Sequence, residues 1–88
     1  MKTVMLYEVT AEGLTKAREH FPAHRARIDE FHQRGALLMV GVFANPMEGA
    51  MGIFSSREAA EEFMQGDPFV IHGVVAGSSL REWNEALA

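Results

Sequence analysis

The sequence predicts a small α+β domain in which a four-stranded antiparallel sheet carries two helices on one face. Three observations support this fold class. The 88 residues contain no linker-like stretch, and 48% hydrophobic with 23% charged residues is typical of one globular domain, residues 1–88. Along the chain, segments in which apolar residues alternate, as in strands, are followed by segments in which they recur every three or four positions, as in helices. Their order, strand, helix, strand, strand, helix, strand, is the split β-α-β plan.

The first part of the chain supplies one strand and one long helical segment. Residues 3–9 form an alternating β-branched and aromatic run, which predicts strand one. From Leu14 to Phe31, apolar residues recur every three or four positions on one helix face, and His24 is the only polar member of that row. Because proline removes a backbone hydrogen bond, we expect Pro22 to break the helix and place His24 near a new N-terminus, where the helix dipole disfavours imidazolium.

The second part supplies a hairpin, a second helix and the last strand. Residues 36–43 are apolar on both alternating faces and predict strand two, and residues 50–54 predict strand three. Ser55 and Glu58 fit a capping box that opens helix two, and the last strand is expected within residues 74–83. This ferredoxin-like plan leaves one sheet face bare. We therefore expect that face to pack against a second copy, giving a homodimer.

Composition argues against several classes of function. With a net charge of −4 and only 8 Lys and Arg, a nucleic-acid partner is not expected. Cysteine is absent, which excludes disulfides, thiolate nucleophiles and cysteine-bound metals. No segment is apolar for long enough to be a signal peptide or a membrane span, so no membrane partner is expected and the cytoplasm is the expected location. No phosphate loop or dinucleotide fingerprint is present, and we expect no cofactor.

Two side chains carry the candidate chemistry, His24 and Asp67. Asp67 lies between the helix-ending Gly66 and Pro68, which holds its carboxylate at a sharp corner. Histidine ordinarily titrates near ~6.5, and a carboxylate can hold its ring in one tautomer. We predict that the fold brings the two together as a catalytic pair. A buried histidine that merely satisfies a carboxylate is the alternative that the residues alone leave open.

Aromatic side chains are the candidates for binding a substrate. Tyr7, Phe43 and Phe69 could contact a flat apolar or aromatic ligand, and the Tyr7 hydroxyl could donate a hydrogen bond to it. Met39 and Trp83 fit ordinary core or dimer packing better.

A metal site is a weaker alternative for the histidines. His20 and His24 stand four residues apart, a spacing that suits metal ligands on an unbroken helix, and Asp67 or His72 would have to be the third ligand. A proline lies within that segment and no zinc-binding motif is present. We therefore expect no metal, and we expect His32 and His72 on the surface.

The sequence resembles the YCII-related domain family over nearly its whole length. The strongest signal is His24 combined with Asp67-Pro68-Phe69. The other similar stretches are Arg18 to His24, Gly35-Ala36-Leu37-Leu38 into Gly41, Ser56-Arg57-Glu58-Ala59-Ala60 before Phe63, Gly73, and Arg81-Glu82-Trp83-Asn84-Glu85. The chain departs from the family at Gly41-Val42-Phe43, where many relatives have Gly-Pro, which changes the rim of the expected pocket.

The resemblance implies a dimeric α+β barrel, similar to muconolactone isomerases and cofactor-independent monooxygenases, with a His24–Asp67 pair in a small pocket. Some members resemble dehydrochlorinases of chlorinated hydroxyquinols. The first expected function is therefore a cofactor-independent lyase, isomerase or dehydrochlorinase-like enzyme in which His24 moves a proton on a cyclic or aromatic small molecule and Asp67 orients it. The second is a non-catalytic dimeric module that binds a small ligand or a partner protein.

Overall fold

The computed structural model describes residues 1–87 as one antiparallel sheet with helices packed on one face. The strands are β1 (Lys2–Val9), β2 (Leu37–Val42), β3 (Ala50–Phe54) and β4 (Val75–Trp83). The helices are α1 (Ala11–Leu14), α2 (Ala17–Gln33), α3 (Arg57–Gly66) and α4 (Pro68–Ile71), and a 3₁₀ turn spans Pro46–Glu48. The strand order is β2-β3-β1-β4, with antiparallel pairing throughout. This is the predicted ferredoxin-like α+β fold.

The core lies between the sheet and the two long helices. On β1 the alternation places Met5 and Tyr7 on the helix-facing side, where they are 1% and 4% exposed. Phe31 of α2 and Phe63 of α3 meet edge to face with ring centroids 5.2 Å apart, and Phe54 of β3 lies 5.4 Å from Phe63. All three phenylalanine side chains are fully buried, and their burial stabilises the packing of the helices against the sheet.

The opposite face of the sheet carries an apolar patch on β1, β2 and β3, beside polar side chains of β4, and no helix within residues 1–87 packs on it. Val4 and Leu6 point to this side because they alternate with the buried residues of β1. Their neighbours in register are Ile53 and Met51, and Met39 of β2 pairs with Ile53. Met39 is 67% exposed and Met51 is 37% exposed. We call these five residues, Val4, Leu6, Met39, Met51 and Ile53, the bare face.

The predicted helix break at Pro22 is wrong, because α2 runs without interruption through that residue. The chain instead breaks between α1 and α2. Rings on both sides of Pro22 pack against the same neighbouring segment: His20 stacks on His72, and His24 stacks on Phe69. This packing helps to hold both halves of α2 in line against the roughly 3 kcal/mol that an internal proline costs. His24 therefore lies inside a helix, and the expected influence of a helix N-terminus does not apply to it.

The strand boundaries agree with the sequence-based prediction to within one residue at each end. Two local expectations need correction. Ser56, and not Ser55, caps α3 by accepting a hydrogen bond from the Ala59 amide at 3.1 Å. The corner at Asp67 opens a short helix, α4, that the sequence pattern did not predict. Among residues 1–87, no helix combines the length and the hydrophobicity needed to cross a membrane.

Candidate active site

The structure places His24 and Asp67 in direct contact. His24 projects from α2, and Asp67 lies at the junction of α3 and α4. Nδ1 of His24 lies 2.6 Å from Oδ1 of Asp67, although the residues are 43 positions apart in the sequence. The Asp67 side chain is fully buried and the His24 side chain is 12% exposed. The pair therefore joins a buried carboxylate to an imidazole that solvent or a ligand can still reach.

The position of the Asp67 carboxylate follows from local chain geometry. Asp67 is both the C-cap of α3 and the N-cap of α4, with extended backbone angles of φ −70° and ψ 119°. Pro68 occupies the first helical position, where its missing N–H costs nothing. As an N-cap, the carboxylate accepts a hydrogen bond from the Phe69 amide at 3.1 Å. The Gly-Asp-Pro corner thus aims the side chain back toward α2.

The contact with Asp67 fixes the tautomer of His24. A carboxylate accepts hydrogen bonds and cannot donate them, so Nδ1 of His24 carries the proton that it donates to Oδ1. The lone pair of the neutral ring then resides on Nε2. The plane of the ring is set by Phe69, whose ring lies parallel to it at a centroid distance of 3.7 Å and an angle of 4°. Both the protonation pattern and the orientation of the imidazole are therefore defined before a ligand arrives.

Tyr7 completes the hydrogen bonding of the carboxylate. Its hydroxyl donates to Oδ2 of Asp67 at 2.7 Å. Burial raises the pKa of Tyr7 well above its ordinary value, and the negative charge of Asp67 and the hydrogen bond to it raise the pKa further, while Arg27 lowers it slightly. The phenol thus stays protonated and remains a donor across the physiological range.

A cavity of about 500 Å³ adjoins the pair. Its walls come from β1, α2, β2 and α4, and most of the side chains that line it are apolar. His24, Tyr7 and Phe69 all contribute to the lining. The cavity opens toward β2, where Val40 is 42% exposed and Val42 is 68% exposed. A space of this size with apolar walls and a few polar groups is typical of small-molecule sites.

Phe43, a predicted substrate-binding residue, does not line this cavity. It lies instead beside a shallow depression together with Met39 and Met51 of the bare face. The reason is a register shift between Leu37 and Met39. This irregularity brings Leu37 onto the same face as the later residues Val40 and Val42, so that Phe43 falls on the other side of the sheet.

Sequence reasoning missed several cavity residues that the structure assigns. His32 is exposed, as expected, but it also lines the cavity and donates a hydrogen bond from Nδ1 to the Leu37 carbonyl at 2.9 Å. Ile28 also lines the cavity. Positions 24, 28 and 32 are four residues apart, so they follow one stripe of α2. That spacing was the available signal for including both residues.

His20 and His24, the spaced pair of histidines on α2, make separate contacts. Across residues 1–87, no three His, Asp or Glu side chains are grouped as metal ligands would be. His20 stacks face to face on His72 at 4.0 Å and 3°, and Nδ1 of His24 is held by Asp67. His20 and His24 therefore have different partners despite their spacing of four residues.

Comparison with known proteins places the chain in a family. The sequence model of the YCII-related domain matches residues 1–84. The chain belongs to the YCII-related domain family. None of the curated protein sequences matches this YCII-related protein.

Three solved structures share the fold of this YCII-related protein. A 5-chloro-2-hydroxyhydroquinone dehydrochlorinase from Burkholderia phenoliruptrix AC1100, in complex with 2,5-dihydroxybenzoquinone, is 18% identical with a TM-score of 0.79, over 98% of this chain and 96% of that one. An antibiotic biosynthesis monooxygenase is 12% identical with a TM-score of 0.61, over 97% of both chains. A MhuD mutant with two manganese protoporphyrin IX molecules per active site is 18% identical with a TM-score of 0.52, over 99% of this chain and 95% of that one. At these identities the likeness concerns the fold alone.

Proposed function

We propose that this YCII-related protein is a cofactor-independent small-molecule enzyme, a lyase or isomerase, with His24 as general acid/base and Asp67 as its orienting partner. The observation that carries the proposal is the 2.6 Å contact between Nδ1 of His24 and Oδ1 of Asp67, made in the wall of a cavity of about 500 Å³. It leaves Nε2 as the ring nitrogen available to a bound molecule. A base that is already oriented contributes roughly 10²–10⁴-fold to a proton-transfer step.

The proposed reaction begins with proton abstraction from a carbon next to a carbonyl group. Nε2 takes the proton, and the electrons of the broken C–H bond form the double bond of an enolate. The negative charge of Asp67 stabilises the imidazolium that results. In an isomerisation the imidazolium returns the proton to another atom. In the dehydrochlorination of a chlorinated hydroquinone, Nε2 instead takes the proton of a ring hydroxyl in the keto tautomer, whose C–Cl carbon is saturated. That oxygen forms a second carbonyl, the ring electrons shift to break the C–Cl bond, chloride leaves with the bonding electrons, and the proton passes to water.

We propose a cyclic or aromatic molecule as the ligand. Apolar walls and the flat His24–Phe69 stack favour a planar, largely apolar compound. The dehydrochlorinase with the similar fold was solved with 2,5-dihydroxybenzoquinone, a planar ring. This quinone is therefore the first ligand to test, and 5-chloro-2-hydroxyhydroquinone is the first substrate.

The test compares chloride release from 5-chloro-2-hydroxyhydroquinone, and binding of the quinone, in the wild type, His24→Gln and Asp67→Asn. We expect both variants to lose on the order of 10²-fold or more in turnover, because His24→Gln removes the base and Asp67→Asn removes the carboxylate that orients it. Quinone binding should change much less, since the apolar walls remain. Glu61→Gln, on the exposed side of α3, is the matched surface control.

Unchanged turnover in His24→Gln would refute the role of His24 as the base. Quinone binding by the wild type without any turnover would instead support the second function, a ligand-binding module that keeps the pair as a structural hydrogen bond.

We also propose that the protein is a homodimer whose bare faces meet across a two-fold axis. The support is the exposed methionines Met39 and Met51, together with β2, which lies at the sheet edge and carries no charged residue. An apolar face of this kind normally marks an interaction surface, and a second copy offers an identical face.

A further inference from the structure

We propose that Tyr7 is a positioning residue, whose hydroxyl holds the Asp67 carboxylate in the orientation that directs Oδ1 to His24. This role differs from the substrate contact that the sequence suggested for Tyr7. Its consequence for turnover rests on the proposed function, whereas its effect on the geometry of the pair does not.

The hydrogen bonds divide between the two carboxylate oxygens. Oδ1 accepts from Nδ1 of His24 at 2.6 Å and from the Phe69 amide at 3.1 Å. Oδ2 accepts a hydrogen bond from the Tyr7 hydroxyl at 2.7 Å, and no other donor within residues 1–87 contacts Oδ2. Because the Asp67 side chain is fully buried, each oxygen needs a donor from the protein. Tyr7 therefore supplies the bond that Oδ2 would otherwise lack.

The torsion at the end of an aspartate side chain is intrinsically soft and roughly two-fold. Donors on both oxygens are needed to hold the carboxylate plane in one place. Phe69 restrains one oxygen from α4, and Tyr7 restrains the other from β1. Without Tyr7, the plane can rotate about the Cβ–Cγ bond, and the alignment of Oδ1 with His24 is lost.

Tyr7 suits this role because its backbone is rigid. It lies on β1, one of the two inner strands, and it pairs with Ala50 on one side and Ser78 on the other. Gly49, with φ of 91°, passes so close that a Cβ there would lie 1.9 Å from the Tyr7 carbonyl oxygen. The sheet and the hairpin thus hold β1 in place, and the Tyr7 hydroxyl on β1 can therefore hold Asp67 in a fixed position at the junction of α3 and α4.

A ligand-binding role fits the hydroxyl less well. Its one proton is donated to Asp67, and the residue is 4% exposed. A substrate contact would have to use the remaining oxygen lone pair from a nearly buried position. The two roles differ in kinetics, because a substrate contact affects KM while positioning of the base affects kcat.

The deciding experiment is ¹⁵N NMR of the His24 ring in the wild type, Tyr7→Phe and Phe54→Leu. Tyr7→Phe removes only the hydroxyl. Phe54→Leu removes buried volume from a residue outside the cavity and is the control for lost stability. We expect one tautomer with a slowly exchanging Nδ1 proton in the wild type and in Phe54→Leu. Tyr7→Phe should show a mixture of tautomers and a broadened or absent Nδ1–H signal.

A single tautomer with an intact Nδ1–H signal in Tyr7→Phe would overturn the proposal. A tautomer mixture in both variants would also overturn it, since lost stability alone would then explain the effect. These readings need no substrate, so they decide the role of Tyr7 even if the proposed enzyme activity fails. Where turnover is measurable, we expect Tyr7→Phe to lower kcat about ten-fold with KM within about two-fold, and a raised KM at unchanged kcat would assign the hydroxyl to the ligand instead.

Discussion

At the scale of single residues, the site depends on a buried carboxylate that three donors satisfy. His24, Tyr7 and the Phe69 amide come from a helix, a strand and a helix start, and each contributes one hydrogen bond to Asp67. Buried charge is tolerated only when it is paired and fully hydrogen-bonded. The network therefore stabilises the fold as well as orienting the imidazole, and substitutions in it should affect both properties.

The raised pKa of Tyr7 predicts that the folded protein loses stability at alkaline pH. Its pKa is raised by burial, so above about pH 10 the unfolded chain releases the phenol proton while the folded protein keeps it. Below about pH 10 both states hold the proton, and this residue adds no pH dependence. Above it, the free energy of unfolding should fall by up to about 1.4 kcal/mol per pH unit.

The measurement is urea unfolding between about pH 9 and pH 11 for the wild type and Tyr7→Phe. Tyr7 is the single tyrosine of the chain, so the variant lacks this ionisation altogether. The steeper alkaline decline should be present in the wild type and absent in the variant. Equal slopes would show that the phenol of the folded protein ionises as readily as that of the unfolded chain.

At the scale of elements, the contact between α2 and the α4 segment includes two ring stacks placed side by side, next to the His24–Asp67 hydrogen bond. His20 stacks on His72 at 4.0 Å, and His24 stacks on Phe69 at 3.7 Å. His20 and His24, four residues apart on α2, stack on His72 and Phe69, three residues apart on or just after α4, so each stack limits the sliding of the α4 segment along α2. The outer pair thus supports the segment that carries Asp67.

We expect His72→Ala to loosen α4 without unfolding the domain. Loss of one stacked pair should cost about 0.5–1.5 kcal/mol. The effect should be seen in amide hydrogen exchange at Val70 and Ile71, whose amides donate to the Asp67 carbonyl at 2.9 and 3.0 Å. His72→Phe keeps a flat ring and should restore slow exchange. Equal exchange in the alanine variant and the wild type would show that the outer stack does not hold α4.

At the scale of the whole molecule, the protein presents two chemically different sides. One side carries the helices and the cavity, and the other is the bare face. An 88-residue domain buries a modest share of its surface, so covering the bare face would add substantially to its stability. The proposed dimerisation should therefore be linked to folding by mass action.

We expect Met39→Lys to convert the proposed dimer into a monomer. Met39 is 67% exposed on the bare face, and in a two-fold interface the substitution places two charges in an apolar contact. Sedimentation velocity at micromolar concentration measures the change. Glu61→Gln on the exposed side of α3 raises the net charge by the same one unit and should leave the dimer intact. A monomeric wild type under the same conditions would refute the homodimer.

The sequence by itself determined the order of the strands and the two long helices, and the strand boundaries, because alternation and helical spacing are local properties of the chain. It also singled out His24 as the polar residue on an apolar helix face, and Asp67 as the carboxylate at a Gly-Pro corner. Both signals depend on a few neighbouring residues.

Only the tertiary structure decided the rest. α2 continues through Pro22 while its histidines stack against distant rings, and Phe43 is displaced by a register shift in β2. The bond from Tyr7 to Asp67 joins residues 60 positions apart. Contacts of this kind leave no periodic trace in the sequence, because they form only when separately determined elements pack together.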